Sequence, residues 1–171
     1  MTKHKSIEKK LVLLVSGGLD STIAYHYAIN KMGYKNKDIL CLWFDLGQPY
    51  RKKELKSLQQ TKIPFKTINL NLIRDEFNNI PTTDFPNHII PGRNLIMATI
   101  AASFGERIWL IALDTEMHKF AKERDKSGKF YNDTTNLLTY IFNIKREKTI
   151  IETPFKNIFS VCFIVTIVFA F

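Results

Sequence analysis

Three apolar runs, at 11–15, 39–44 and 108–113, are continuous rather than alternating. Unbroken runs of four to eight apolar residues suit strands covered on both faces, as in a parallel sheet. A further strand is expected at 63–70, starting near Pro64, and a short one at 149–152 before Pro154. Helical patterns fill the intervals. One covers 21–32, with Asp20 and Ser21 as cap candidates and Gly33 as its stop. Others cover 52–61, 94–105 (after a proline and a glycine) and about 133–142. Strand–helix alternation of this kind predicts a Rossmann-like α/β fold, an open and mostly parallel sheet with helices on both faces. Two connections stand apart: 75–92, rich in proline and glycine, and the charged 114–129. Loops this long inside one domain are usually functional.

A chain of 171 residues without a linker or repeat is read as one domain with a real core. Cys41 and Cys162 stand alone in apolar runs, which gives neither a disulfide framework nor a metal-ligand pair and points to a reducing cytoplasm. Twenty-five Lys and Arg against 16 Asp and Glu leave a net charge of +9, but the basic residues are dispersed outside Arg51-Lys52-Lys53 and the amino terminus. That balance suits a polyanionic small ligand as well as a lysine-rich composition, and no basic–aromatic pattern calls for nucleic acid. Residues 1–10 have no apolar signal core behind them. The tail 158–171 is apolar except for Ser160 and Thr166. It falls short of the roughly 20 residues of a membrane span, leaving a buried strand, an interfacial anchor or a truncation product, of which truncation is the favoured expectation.

The chemistry concentrates where the first strand ends, at Ser16-Gly17-Gly18-Leu19-Asp20-Ser21. Two glycines let backbone N–H groups approach an anion, and the helix that follows adds its positive end. Ser16 and Ser21 offer hydroxyl donors, and Asp20 either holds a magnesium ion, directly or through water, or fixes the loop. There is no lysine of the Walker type, so the loop is not the common one for γ-phosphate transfer.

Ser-Gly-Gly-x-Asp-Ser after a first strand resembles the signature of the PP-loop ATP pyrophosphatases, adenine nucleotide α-hydrolase-like proteins that split ATP between the α and β phosphates. Three further segments resemble the 7-cyano-7-deazaguanine synthase family within that group: Phe44-Asp45-Leu46-Gly47-Gln48, Pro91-Gly92-Arg93-Asn94 with Ala101-Ala102, and Glu152-Thr153-Pro154. The resemblance covers 1–157. It implies ATP and Mg2+ as cofactors, 7-carboxy-7-deazaguanine and ammonia as substrates, and adenylation of the carboxylate followed by amide and nitrile formation; the alternatives are another PP-loop amidating or tRNA-modifying enzyme and a non-catalytic nucleotide-binding remnant. It further implies nucleotide contacts from Val15, Ser16, Gly17, Gly18, Leu19, Asp20, Ser21, Thr22, Asp45, Gln48 and Asn94, with Asp20 and Arg93 as the catalytic groups. A homodimer is left open, and neither direct nucleic-acid binding nor a membrane span is expected. On the residues alone, Gln48 can read a base edge, Arg93 can clamp a phosphate or carboxylate, and Asn94 is equally a helix cap.

The pattern also departs from that family. Its carboxyl-terminal four-cysteine zinc site has no counterpart, since Cys162 is solitary, and Asp125–Phe130 stands where a Tyr-Pro-Asp-Cys-Arg segment is expected. Leu46 replaces a tyrosine, and Gln48-Pro49-Tyr50 replaces a basic–histidine pair. His4, His26 and His118 read as solvated or capped, His88 as a weak site candidate, and Glu116, Lys119, Lys122 and Glu123 as a solvated face. Trp43 and Trp109 are expected in the core.

Overall fold

The computed structural model describes residues 10–48, 50–70, 92–112, 124–143 and 148–155. The chain alternates β1 (Leu11–Leu14), α1 (Leu19–Asn30), β2 (Ile39–Asp45), α2 (Arg51–Thr61), β3 (Phe65–Asn69), α3 (Arg93–Ala102), β4 (Arg107–Trp109), α4 (Gly128–Phe142) and β5 (Ile150–Glu152). Expectations for His4, Pro49, Pro91, His88, Leu113, Glu116, His118, Lys119, Lys122, Glu123 and Cys162, for loop positions 75–91 and for the tail 158–171 lie outside the described residues. Among the described residues no helix is long and apolar enough to cross a membrane.

The five strands lie in the order β3-β2-β1-β4-β5, and every neighbouring pair is parallel. Alternate residues of β1 explain why its apolar run is unbroken. Leu11 and Leu13 pack with Ile23, Ala24 and Ala28 of α1 and Leu58 of α2. Val12 and Leu14 pack on the other face with Ala98, Ala101 and Ala102 of α3 and Tyr131 and Leu138 of α4. The sheet is therefore doubly wound, with α1 and α2 on one face and α3 and α4 on the other. Trp43 and Trp109 are buried in the first of these cores, as expected. Cys41 lies there too, and burial pushes its thiol up to about 12, which keeps it protonated and unreactive.

Two helix starts differ from the sequence expectation. α1 begins at Leu19 with Gly18 as its N-cap, so Asp20 and Ser21 fall inside the first turn instead of capping it. α4 begins at Gly128, about five residues earlier than expected, because Ser127 accepts a hydrogen bond from the Phe130 amide and caps it. Part of the segment read as a charged loop is thus a 3-10 turn (Arg124–Lys126) leading into a capped helix. The apolar spacing of α4 becomes regular only past its first turn, which is why periodicity placed its start late.

β5 lies at the sheet edge, where unpaired backbone groups would ordinarily recruit another strand. Here α4 covers them. The Thr135 hydroxyl accepts from the Ile151 amide at 3.0 Å and donates to the Ile151 carbonyl at 3.3 Å. One helical turn later, Thr139 does the same for Thr149, at 3.1 and 3.0 Å. Thr135→Val keeps the shape and removes both bonds, so a loss of about 1–3 kcal/mol is expected in urea unfolding. Combining it with Thr139→Val should in addition produce concentration-dependent light scattering as the edge is uncovered.

Candidate functional site

Crossovers in a parallel sheet return along the helices, so each helix starts at the carboxyl edge of the strands. α3 ends close to the start of β4, and α4 runs antiparallel to β5 through its threonine bridges, which places their first turns at that edge with those of α1 and α2. The chain leaves β1 for β2 on one side and reaches β4 on the other. The crevice between the carboxyl ends of β1 and β4 is therefore the topological switch point, where ligands bind in open α/β sheets.

The Ser16–Thr22 loop opens onto that crevice. Val15 is buried and extends the strand by donating from its amide to the Leu42 carbonyl at 2.9 Å. Gly17 takes a φ of +74°, and its Cα rests on α2: a Cβ there would lie 2.7 Å from the Glu54 carbonyl oxygen and 2.9 Å from the Leu58 nitrogen. Only glycine fits both demands. The hydroxyls expected on phosphate turn out to brace the loop. Ser21 accepts from the Ser16 amide at 3.3 Å and donates to the Gly18 carbonyl at 3.1 Å, and Thr22 donates to the same carbonyl at 3.0 Å. Ser16, exposed, accepts from the Gly18 amide at 3.4 Å. Gly18 supplies no side-chain cap, so the first turn of α1 presents its backbone donors without one. Leu19 stands exposed beside them and Asp20 is half-buried in the same turn.

The residues after β2 play a different part from the one expected. Gln48 is buried, and its amide is used up internally: Oε1 accepts from the Leu46 amide at 2.8 Å, while Nε2 donates to Glu54 Oε2 at 2.7 Å and to the Phe44 carbonyl at 3.3 Å. These bonds tie the turn after β2 to α2 through Glu54. Asp45 accepts from the Gly47 amide at 2.9 Å and pairs with Arg51 at 3.9 Å, so it shapes the turn that Gly47 makes at a φ of +72°.

Arg93 and Asn94 open α3, capped by Gly92 at a φ of +71°. Asn94 is not the cap. It is buried, and its Nδ2 donates to the Asp125 carbonyl at 3.1 Å, tying α3 to the turn before α4. Arg93 is half-buried, and its Nε is shielded from water with no hydrogen-bond partner. Among the described residues that Nε thus has no acceptor, a costly state for a buried guanidinium N–H.

The contributors on α2 were not singled out from the sequence. Glu54 takes the Trp43 indole N–H at 3.1 Å together with the Gln48 amide, and Ser57 donates to the Gly17 carbonyl at 2.5 Å. The spacing of Glu54, Ser57 and Leu58 along one face of α2 was their only signal. Glu152 accepts from Arg107 at 2.9 Å and from the Trp109 indole at 3.0 Å, and Thr153 clamps Ala112 through its carbonyl (2.8 Å) and amide (3.3 Å). Glu152-Thr153 therefore fixes the segment leaving β4 on the far wall of the crevice. Among the described residues no group of three or more His, Cys, Asp or Glu side chains gathers to hold a metal ion.

Fold and site together define a doubly wound parallel α/β protein with a glycine turn running into a helix at its switch point. The chain belongs to the QueC family: the model of that family, queuosine biosynthesis protein QueC, matches residues 10–160. It is similar to a 7-cyano-7-deazaguanine synthase of Thermoplasma volcanium, 31% identical over 169 residues, which covers 86% of this chain and 68% of that one. It is also similar to one of Prochlorococcus marinus (strain MIT 9312), 36% identical over 118 residues, 58% of this chain and 50% of that one. Across these two relatives the chain thus spans between half and about two thirds of their length. Among solved structures, the U34-tRNA thiolase NcsA of Methanococcus maripaludis shares the fold, with a TM-score of 0.50 over 96% of this chain and 59% of that one at 12% identity.

Proposed function

We propose that this chain is a cytoplasmic ATP-dependent ligase that binds Mg·ATP on the Ser16–Thr22 loop and adenylates the carboxylate of 7-carboxy-7-deazaguanine, which ammonia then converts through the amide to the nitrile. The observation that carries this reading is the glycine turn running into a helix without a side-chain cap at the switch point. The Arg93 Nε without a partner, at the start of a neighbouring helix, adds to it. Family membership and the named synthases point to the same substrate class.

The residues fit an ATP polyphosphate. Backbone N–H groups of the Gly17–Ser21 turn and the helix dipole favour negative charge and need no reorganisation when charge shifts onto the leaving pyrophosphate. The serine and threonine hydroxyls that brace the loop keep those donors in place. Arg93 supplies a fork for the α-phosphate or the acceptor carboxylate, with its Nε gaining the acceptor it lacks. A magnesium ion would be held by phosphate oxygens and by Asp20, the carboxylate in the first turn of α1. Bound there, it would neutralise charge on the departing pyrophosphate.

The test is pyrophosphate release by the full chain with Mg·ATP and ammonium, with and without 7-carboxy-7-deazaguanine. Pyrophosphate and AMP formed together only when the deazaguanine is present support the reading. Orthophosphate instead of pyrophosphate sinks it, and tight ATP binding with no release in any mixture reduces the site to a nucleotide-binding module.

A further inference from the structure

The carbonyl of Gly17 receives the Ser57 hydroxyl at 2.5 Å from α2, a bond spanning 40 positions of sequence. None of the described peptide bonds is cis, and in a planar trans peptide the N–H points opposite to the C=O. Anchoring the Gly17 carbonyl on α2 therefore turns the Gly18 N–H away from that helix, onto the side where Ser16 Oγ lies at 3.4 Å. Glycine at both positions would otherwise let this peptide plane flip freely, because neither residue has a Cβ to resist rotation. The same face of α2 is itself held: Glu54, one turn earlier, accepts from the Trp43 indole and the Gln48 amide.

Resting on the ATP reading above, we infer that Ser57 is a positioning residue for the phosphate loop: its hydroxyl locks the Gly17–Gly18 peptide so that the Gly18 N–H, which donates weakly to Ser16 Oγ at 3.4 Å, points to the side the polyphosphate would occupy and can be shared with it. Ser57 touches no ligand in this role and acts only through the carbonyl it holds. The loop is then preorganised before ATP arrives, and the cost of orienting a flexible glycine peptide is not charged to binding.

The experiment compares Ser57→Ala, Ser57→Thr and Thr61→Ala in the full chain. Thr61 donates to the Leu58 carbonyl at 2.6 Å and accepts from the Ile63 amide at 3.3 Å, so its removal costs the same helix hydroxyl bonding at its far end. Calorimetric titration with Mg·ATP should show Ser57→Ala weakened about tenfold, Ser57→Thr close to wild type, and Thr61→Ala unchanged in affinity even where its unfolding midpoint falls. Equal affinity for Ser57→Ala and wild type, or an equal loss in Thr61→Ala, overturns the inference. The backbone amide resonance of Gly18 in the unliganded protein gives a reading independent of ATP. It should move in Ser57→Ala and return in Ser57→Thr. If wild type takes up no Mg·ATP, the ATP reading is what fails. The Gly18 resonance then judges the peptide lock by itself, an unmoved signal refuting it.

Discussion

Gly17→Ala should abolish Mg·ATP binding and destabilise the fold together. A left-handed φ of +74° costs a residue with a Cβ about 1–2 kcal/mol. The added methyl would also lie 2.7 and 2.9 Å from backbone atoms of Glu54 and Leu58, which cannot swing aside as a side-chain end can. Overpacking of that kind typically costs a further 1–3 kcal/mol or so, for a total near about 3 kcal/mol. Either α2 moves away, loosening the core around Leu58, or the loop abandons its turn and the donors of α1 lose their aim. Gly18→Ala is the matched control. Its φ of −74° suits any residue, and its Cβ would meet only the Ser16 hydroxyl at 3.3 Å, so a stability loss below about 1 kcal/mol is expected. Urea unfolding and calorimetric titration on the two variants check both halves. A Gly17→Ala protein as stable as Gly18→Ala would show that the turn does not rest on α2.

Arg93→Ala should behave in the opposite way, losing activity with little change in stability. Its Nε has no acceptor to lose among the described residues, so removal should leave the unfolding midpoint within about 2 °C. If the guanidinium clamps the reacting phosphate or carboxylate, substrate-dependent pyrophosphate release should fall on the order of a hundredfold or more. Arg93→Lys should recover little of it, because a point charge does not replace a fork with two parallel N–H donors. Asn94→Ala serves as the contrast. It is buried and bonded to Asp125, so its loss should appear first as instability. A fully active Arg93→Ala would remove Arg93 from the site.

The extent to which the sequence was readable follows from the range of the interactions involved. β1 and β2 were legible as unbroken apolar runs because both of their faces are buried, and α1 from local spacing and its Gly33 stop. The early start of α4 escaped because a single Ser127 cap, not a periodic face, determines it. Gln48 was assigned to a ligand because its position past a strand end suits one. Only its proximity to Glu54, brought there by α2, shows that the amide is already committed.

The Ser16–Ser21 loop, its strand–turn–helix setting and the doubly wound class were determined by the sequence by itself, since each depends on residues adjacent in the chain or on simple periodicity. Tertiary structure alone decided what supports the loop from outside. Gly17 is required by α2 packed against it, and Ser57 reaches it across 40 positions. It also set the threonines of α4 on the edge of β5 and left the Arg93 Nε without a partner at the crevice. The physical reason is the same in every case. A residue's type limits which hydrogen bonds it can make, but which it does make depends on neighbours that only folding brings within about 3 Å.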